Sequence, residues 1–198
     1  MLPLSIQKRL ANPSQLERQF LNYLRMANAP IDQSKTIAYE VLYHGLSVAG
    51  QTQSDFFTGQ LTQNQTNIRG SFVRPQSEHF LIYGIRGYQA IAEEVVNFNV
   101  PWKKGFTSTD ATADTPEGTL VNAQMSIEVN SVRMSKYIPL TEFDNELTTG
   151  TRGSILLDQP ILWQGQTSMK LVCQSNDPAT TFLENQYLRF DLLGLGLI

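Results

Sequence analysis

Few side chains in this 198-residue chain are equipped to move a proton, attack a carbonyl or hold a metal. It has two histidines, His44 and His79, and one cysteine, Cys173. A zinc site takes three or four His, Cys or carboxylate ligands at tight spacing, and neither histidine has such company in the sequence. Cys173 sits in an apolar strand with no histidine near it in sequence, so it reads as a small core residue and not as a nucleophile. The loop "STDATADTPEGT" places Asp110, Asp114 and Glu117 close together, but their spacing matches no calcium-binding loop of the EF-hand type, and a solvated turn is expected. Glu93 and Glu94 are adjacent, so on a strand they point to opposite faces and on a helix lie about 100° apart; an acid–base pair would need partners from elsewhere, and exposed charges are expected.

Sequence motifs for catalysis are missing as well. There is no G-x-S-x-G, no G-x-x-x-x-G-K and no G-x-G-x-x-G; the closest run, "GLGLI", ends the sequence with no helix to follow. No His-x-His pair exists to seed a metal site on a strand hairpin. The expectation is a protein that is not an enzyme and needs neither cofactor nor metal. Three Arg-Gly dipeptides, at Arg69, Arg86 and Arg152, could set guanidinium groups at turns facing a neighbour's carboxylates. For Arg86 a simple strand bend is the preferred reading; Arg69 and Arg152 are kept as candidate contact residues. Trp102 and Trp163 could stack on sugars, but each falls in register with an apolar strand face, which favours core packing.

Composition narrows the remaining classes. Charged residues make up 17% of the chain, below the roughly 25% of an average soluble domain. Counting gives 17 Gln and 12 Asn, so uncharged amides replace much of the usual Lys and Glu. Such a surface is wet but weakly self-repelling, which suits packing against copies of itself. Net charge is +2 over residues 1–40, +1 over 41–108 and −6 over 109–198. Without a Lys/Arg block, strong direct nucleic-acid binding is not expected. No apolar run approaches the ~20 residues that span a bilayer, and the first residues lack the order of a signal peptide. With a single cysteine no internal disulfide forms, and synthesis in a cytoplasm is expected.

The elements that would carry these residues are mostly strands. "NPSQLERQFLNYLRMANAP" is the exception: Asn12 with Pro13, or Ser14 with Glu17 as a capping box, starts a helix that Pro30 stops. Leu16, Phe20 and Leu24 make its apolar stripe, and a contact with a neighbouring subunit is the role assigned to them. "TIAYEVLYHGL" reads as strand or short helix, with Tyr, Val and Ile favouring strand. Residues 1–50 are therefore expected to be a helical arm or appendage, and residues 51–198 a β-sandwich of about eight antiparallel strands. In "TLVNAQMSIEV", Val121, Ala123, Met125, Ile127 and Val129 point one way. After Asn130-Ser131 the phase slips to Val132, Met134, Ile138 and Leu140, which requires a turn or a bulge. Pro160 interrupts the strand Ile155–Trp163 and argues for an edge or a bulge. Met169, Leu171 and Cys173, and then Leu188, Phe190 and Leu192, are expected to face the core, with the C-terminal strand tied into a sheet. A jelly roll is the leading architecture.

This layout, carried by the "SQLERQFLNYLRMA" helix, the "TLVNAQMSIEV" strand and the "PILWQGQTSMKLVCQ" hairpin, resembles the single jelly-roll coat proteins of icosahedral viruses, particularly tailless bacteriophages. The resemblance implies a virion protein made in the host cytoplasm. It would assemble with copies of itself and other shell proteins as coat, vertex or minor subunit. The competing expectation is a carbohydrate-binding or adhesin-type sandwich module.

Overall fold

The computed structural model describes residues 14–32, 34–59, 65–68, 72–92, 100–106, 120, 122–144 and 153–197. Among these residues the chain forms one α-helix, α1 (Gln15–Met26), one short 3-10 turn (Leu140–Asp144) and ten strands. The strands are β1 (Ile37–Ser47), β2 (Gln53–Phe56), β3 (His79–Ile91), β4 (Lys103–Lys104), β5 (Ala123–Val129), β6 (Val132–Arg133), β7 (Ile138–Pro139), β8 (Ser154–Trp163), β9 (Met169–Ser175) and β10 (Gln186–Leu197). They pair antiparallel in two sheets. Sheet A runs β1-β10-β3, with β4 and β8 side by side on the far edge of β3; sheet B runs β2-β9-β5, with β6 and β7 on the far edge of β5.

Alternation decides what lies between the sheets. Leu188, Phe190 and Leu192 from β10, Phe80, Ile82 and Ile85 from β3, and Trp163 from β8 meet Phe56, Met125, Ile127, Leu171 and Cys173 from sheet B, all buried. Phe190 is the hub, with its ring 4.8 Å from Phe56, 5.7 Å from Phe106 and 6.1 Å from Phe143. Gly87 on β3 makes room for this cluster: a Cβ there would lie 2.3 Å from the Phe106 ring. So the Arg86-Gly87 dipeptide marks a close packing contact in mid-strand and not a strand bend.

Residues 37–47, which the sequence placed within the 1–50 appendage, pair along all of β1 with β10, so sheet A starts well before residue 51. Asn130 and Ser131, both at positive φ, make the two-residue turn at the phase slip. Val132 and Met134 nevertheless remain 60% and 50% exposed, because β6 pairs with only the last two residues of β5 and carries the chain past the end of the core. The β3–β8 ladder shifts register between Ile82 and Gly84, and Pro160 lies in the β8 segment that this shift skips.

α1 starts at Ser14, not Asn12. The Ser14 hydroxyl accepts from the Glu17 N–H, and the Glu17 carboxylate accepts from the Ser14 N–H at 2.6 Å. At its other end Asn28 adopts positive φ, and the Ala29 N–H donates to the Leu24 carbonyl at 2.9 Å, a glycine-free Schellman cap two residues ahead of Pro30.

Arg74 closes the core at the α1 end. It is 6% exposed, pairs with Glu40 at 3.3 Å and Glu78 at 3.8 Å, and stacks over Phe80 and Trp163. Its partner carboxylates are 26% and 30% exposed and can rehydrate. Arg74→Ala should therefore cost about 2–3 kcal/mol, chiefly through lost packing on the two rings, read as a lowered urea midpoint.

Candidate interaction face

The outer face of sheet A is ordered in transverse rows, because its strands are in register. The first two rows are Ile37–Leu197–His79 and Tyr39–Leu195–Leu81–Leu162. α1 lies on these, and its Phe20 and Leu24, both 0% exposed, form a second core with Leu81, Leu195 and Leu197. Leu16 and Tyr23 pack at its margin. The stripe that the sequence offered to a neighbouring subunit thus already has a partner in its own chain. His79 ties the connection down: its Nε2 sits 2.8 Å from the Pro30 carbonyl, and its Nδ1 accepts from the Gly165 N–H.

The third row, Val41–Leu193–Gly84–Leu156, is apolar and lies beyond α1. Val41 is 38% and Leu156 59% exposed, and Tyr39 at the end of the second row is 67% exposed. The Leu156 and Leu193 side chains converge over Gly84, where a Cβ would sit 3.3 Å and 3.5 Å from them.

The fourth and fifth rows are polar: Tyr43–Asp191–Arg86–Ser154 and Gly45–Arg189–Tyr88–Lys104. Asp191 is 2% exposed and is held by Arg189 at 2.7 Å and Arg86 at 3.4 Å. The Arg189 guanidinium lies 4.0 Å from the Tyr43 ring centre and 5.3 Å from that of Tyr88. Burial, then the Asp191 carboxylate beside it, pushes the Tyr88 hydroxyl above the ordinary phenol range. The cluster is a stiff patch of rings and guanidinium groups around one neutralised carboxylate. What it offers is amphipathic contact area at low entropic cost.

The edge of sheet A beside this face is blunted. The Asn67 side chain accepts from the Tyr43 N–H at 2.8 Å and donates to the Val41 carbonyl at 2.6 Å, doing for β1 what a neighbouring strand would. The β8 edge carries Pro160. Both devices discourage edge-to-edge strand addition.

On sheet B, Lys170 bridges Asp55 at 3.2 Å and Glu128 at 3.3 Å beside a half-open cavity of about 410 Å³ that Phe57 and Phe72 also line. Burial works against the Lys170 charge, but hydrogen bonds from both carboxylates hold its pKa above the ordinary value. Both carboxylates are engaged by the Lys170 ammonium. No group of three or more His, Cys, Asp or Glu that could hold a metal occurs among the described residues. Trp163 is fully buried and donates its indole N–H to the Thr167 carbonyl, while Trp102 is half-buried. Burial pushes the Cys173 thiol far up, which makes it inert. Arg69, Arg152, Glu93, Glu94, Asp110, Asp114 and Glu117 lie outside the described residues.

The sequence reading missed Arg189, Asp191 and the tyrosines around them. A signal was present: Tyr187, Arg189 and Asp191 alternate with Leu188, Phe190 and Leu192, and Tyr39, Val41 and Tyr43 alternate in β1. No described helix is long and apolar enough to cross a membrane. No family model matches the chain, and no curated protein or solved structure is significantly similar to it.

Proposed function

We propose that this chain is a structural virion protein with a single jelly roll, which self-associates into an icosahedral shell as a coat, vertex or minor subunit. The observation that carries the reading is the outer face of sheet A. α1 covers two of its rows and leaves Val41, Leu156 and Tyr39 exposed beside the Tyr43–Arg189–Tyr88 stack. Aromatic residues and arginine around an apolar strip are the composition of an interface core.

Strand pairing supports the jelly roll. β1 pairs with β10, β2 with β9 and β3 with β8, all antiparallel, the nesting obtained when one long hairpin is rolled into two layers. The α1 stripe fits the same function in a second way. If the helix of one subunit docked on sheet A of the next, Phe20 and Leu24 would meet the same Leu81, Leu195 and Leu197 they meet now, at no cost in chemistry. Partners are copies of the chain and other shell proteins, the site of action is the virion, and synthesis takes place in the host cytoplasm.

The solution mass of the full-length protein, measured by light scattering at tens of micromolar, tests this. Discrete oligomers are expected; a strict monomer at every concentration and salt level would count against it. The exposed Tyr39 and Tyr137 rings give the competing sugar-binding module a foothold. That module predicts a monomer or small oligomer whose tryptophan emission shifts on titration with oligosaccharides.

A further inference from the structure

His44 faces the core from β1, 1% exposed, and is surrounded by phenylalanines: ring centres lie 4.7 Å away for Phe72, 5.7 Å for Phe57 and 6.0 Å for Phe56. Its Nδ1 accepts the Phe57 backbone N–H at 2.8 Å, so the ring is neutral and carries its proton on Nε2. Nε2 is buried and has no hydrogen-bond partner among the described residues. Phe57 itself is held at φ 62°, a left-handed conformation that is strained for a bulky residue. The same stretch of β1 receives Thr66, which bridges to His44 and donates its hydroxyl to the Tyr43 carbonyl, and Gln65, whose carbonyl accepts the Gly45 N–H. Phe57 and Phe72 thus meet on one imidazole, while residues 65 and 66 pair with the backbone beside it. Phe57 and Phe72 also line the sheet B cavity next to Asp55 and Lys170.

We propose that His44 is an acid-sensitive latch: its neutral ring holds Phe57 and Phe72 against β1, and protonation releases them. A proton on Nδ1 would set two N–H donors against each other and bury an unpaired charge among hydrocarbon rings. Among the described residues no carboxylate is placed to compensate it. From β10 the opposing residue is Phe190, while Arg189 and Asp191 on either side of it point to the outer face. From β2 it is Phe56, while Asp55 turns to Lys170. On β1 the flanking Tyr43 stacks on Arg189 outside.

Burial lowers the His44 pKa from 6.5 to about 4. Above pH 6.5 the latched and released states are both neutral, and the latch has its full stability. As pH falls from 6.5 to 4 only the released state takes up the proton, so stability is lost through that window and the loss levels off below pH 4. The fall from 6.5 to about 4 limits the rise in the opening equilibrium to roughly 300-fold, approached only well below pH 4.

His44→Asn supplies the test, because its Oδ1 can stand where Nδ1 accepts from Phe57 but does not titrate. Protection of the Phe57 amide against hydrogen exchange, corrected for intrinsic rate, should fall roughly 100-fold from pH 7 to pH 4 in the wild type and stay nearly flat in the variant. Equal loss in both proteins would assign the acid response to carboxylates and overturn the latch. Should the variant fail to fold, the NMR titration of the wild-type His44 ring decides. A midpoint near 4, coincident with a shift of the Phe57 amide, supports the latch, and a midpoint near 6.5 overturns it.

Discussion

Phe190→Ala is expected to remove about 3–5 kcal/mol of folding stability, a large share of the roughly 5–15 kcal/mol a domain possesses. The reason is position as much as size. Phe190 is 0% exposed on β10, the strand that joins β1 to β3. Its ring meets Phe56 edge-on from sheet B and Phe106 and Phe143 from the loops that close the core. Truncation leaves a void bounded by three other rings, each held by its own backbone, so collapse into the space is poor. Urea denaturation should show a lower midpoint with an unchanged slope. A loss below about 1 kcal/mol would mean that these rings repack freely and that the core is not organised around this residue.

Phe20→Asp is expected to detach α1 while leaving the two sheets paired. A carboxylate cannot stay against Leu81, Leu195 and Leu197 without a partner, and burying it would cost more than the docked helix gains. The helix has 12 residues, too few to persist alone in water, so release should appear as lost helical circular dichroism with the β signal retained. The stability of the docked helix should fall by about 3–5 kcal/mol, and the bared leucines should bind a hydrophobic dye. The main core lies on the opposite side of sheet A and involves neither Phe20 nor Leu24, which is why the sheets should survive. Loss of all secondary structure in one transition would show that α1 is an inseparable part of the fold.

What could be read in advance was whatever one strand or one helix decides by itself. Ala123, Met125 and Ile127 in β5, Met169, Leu171 and Cys173 in β9, and Leu188, Phe190 and Leu192 in β10 all turn inward as their alternation requires. The Ser14–Glu17 box and the break at Pro160 likewise follow from local chemistry. The apolar stripe of α1 was legible, but not what would cover it: Leu16, Phe20 and Leu24 say only that something apolar must, and Leu195 and Leu197 lie at the other end of the chain. The interaction face is harder still. Tyr43, Arg86, Tyr88, Arg189 and Asp191 come from three strands whose neighbourhood is set by long-range pairing of β1 with β10 and β10 with β3. Each looks like an ordinary outward residue until the register places it beside the others.

In the proposed function the chain associates with itself through the outer face of sheet A. The most direct test of this compares the solution mass of the wild type with that of a Tyr39→Glu, Leu156→Glu double variant at matched concentration. Both side chains are more than half exposed, so the substitutions should leave the circular dichroism and urea midpoint within about 0.5 kcal/mol of wild type. The account predicts discrete oligomers for the wild type and monomers for the variant, a weakening of self-association by at least 100-fold, or about 2.7 kcal/mol. A folded variant with the wild-type mass would contradict the assignment of this face.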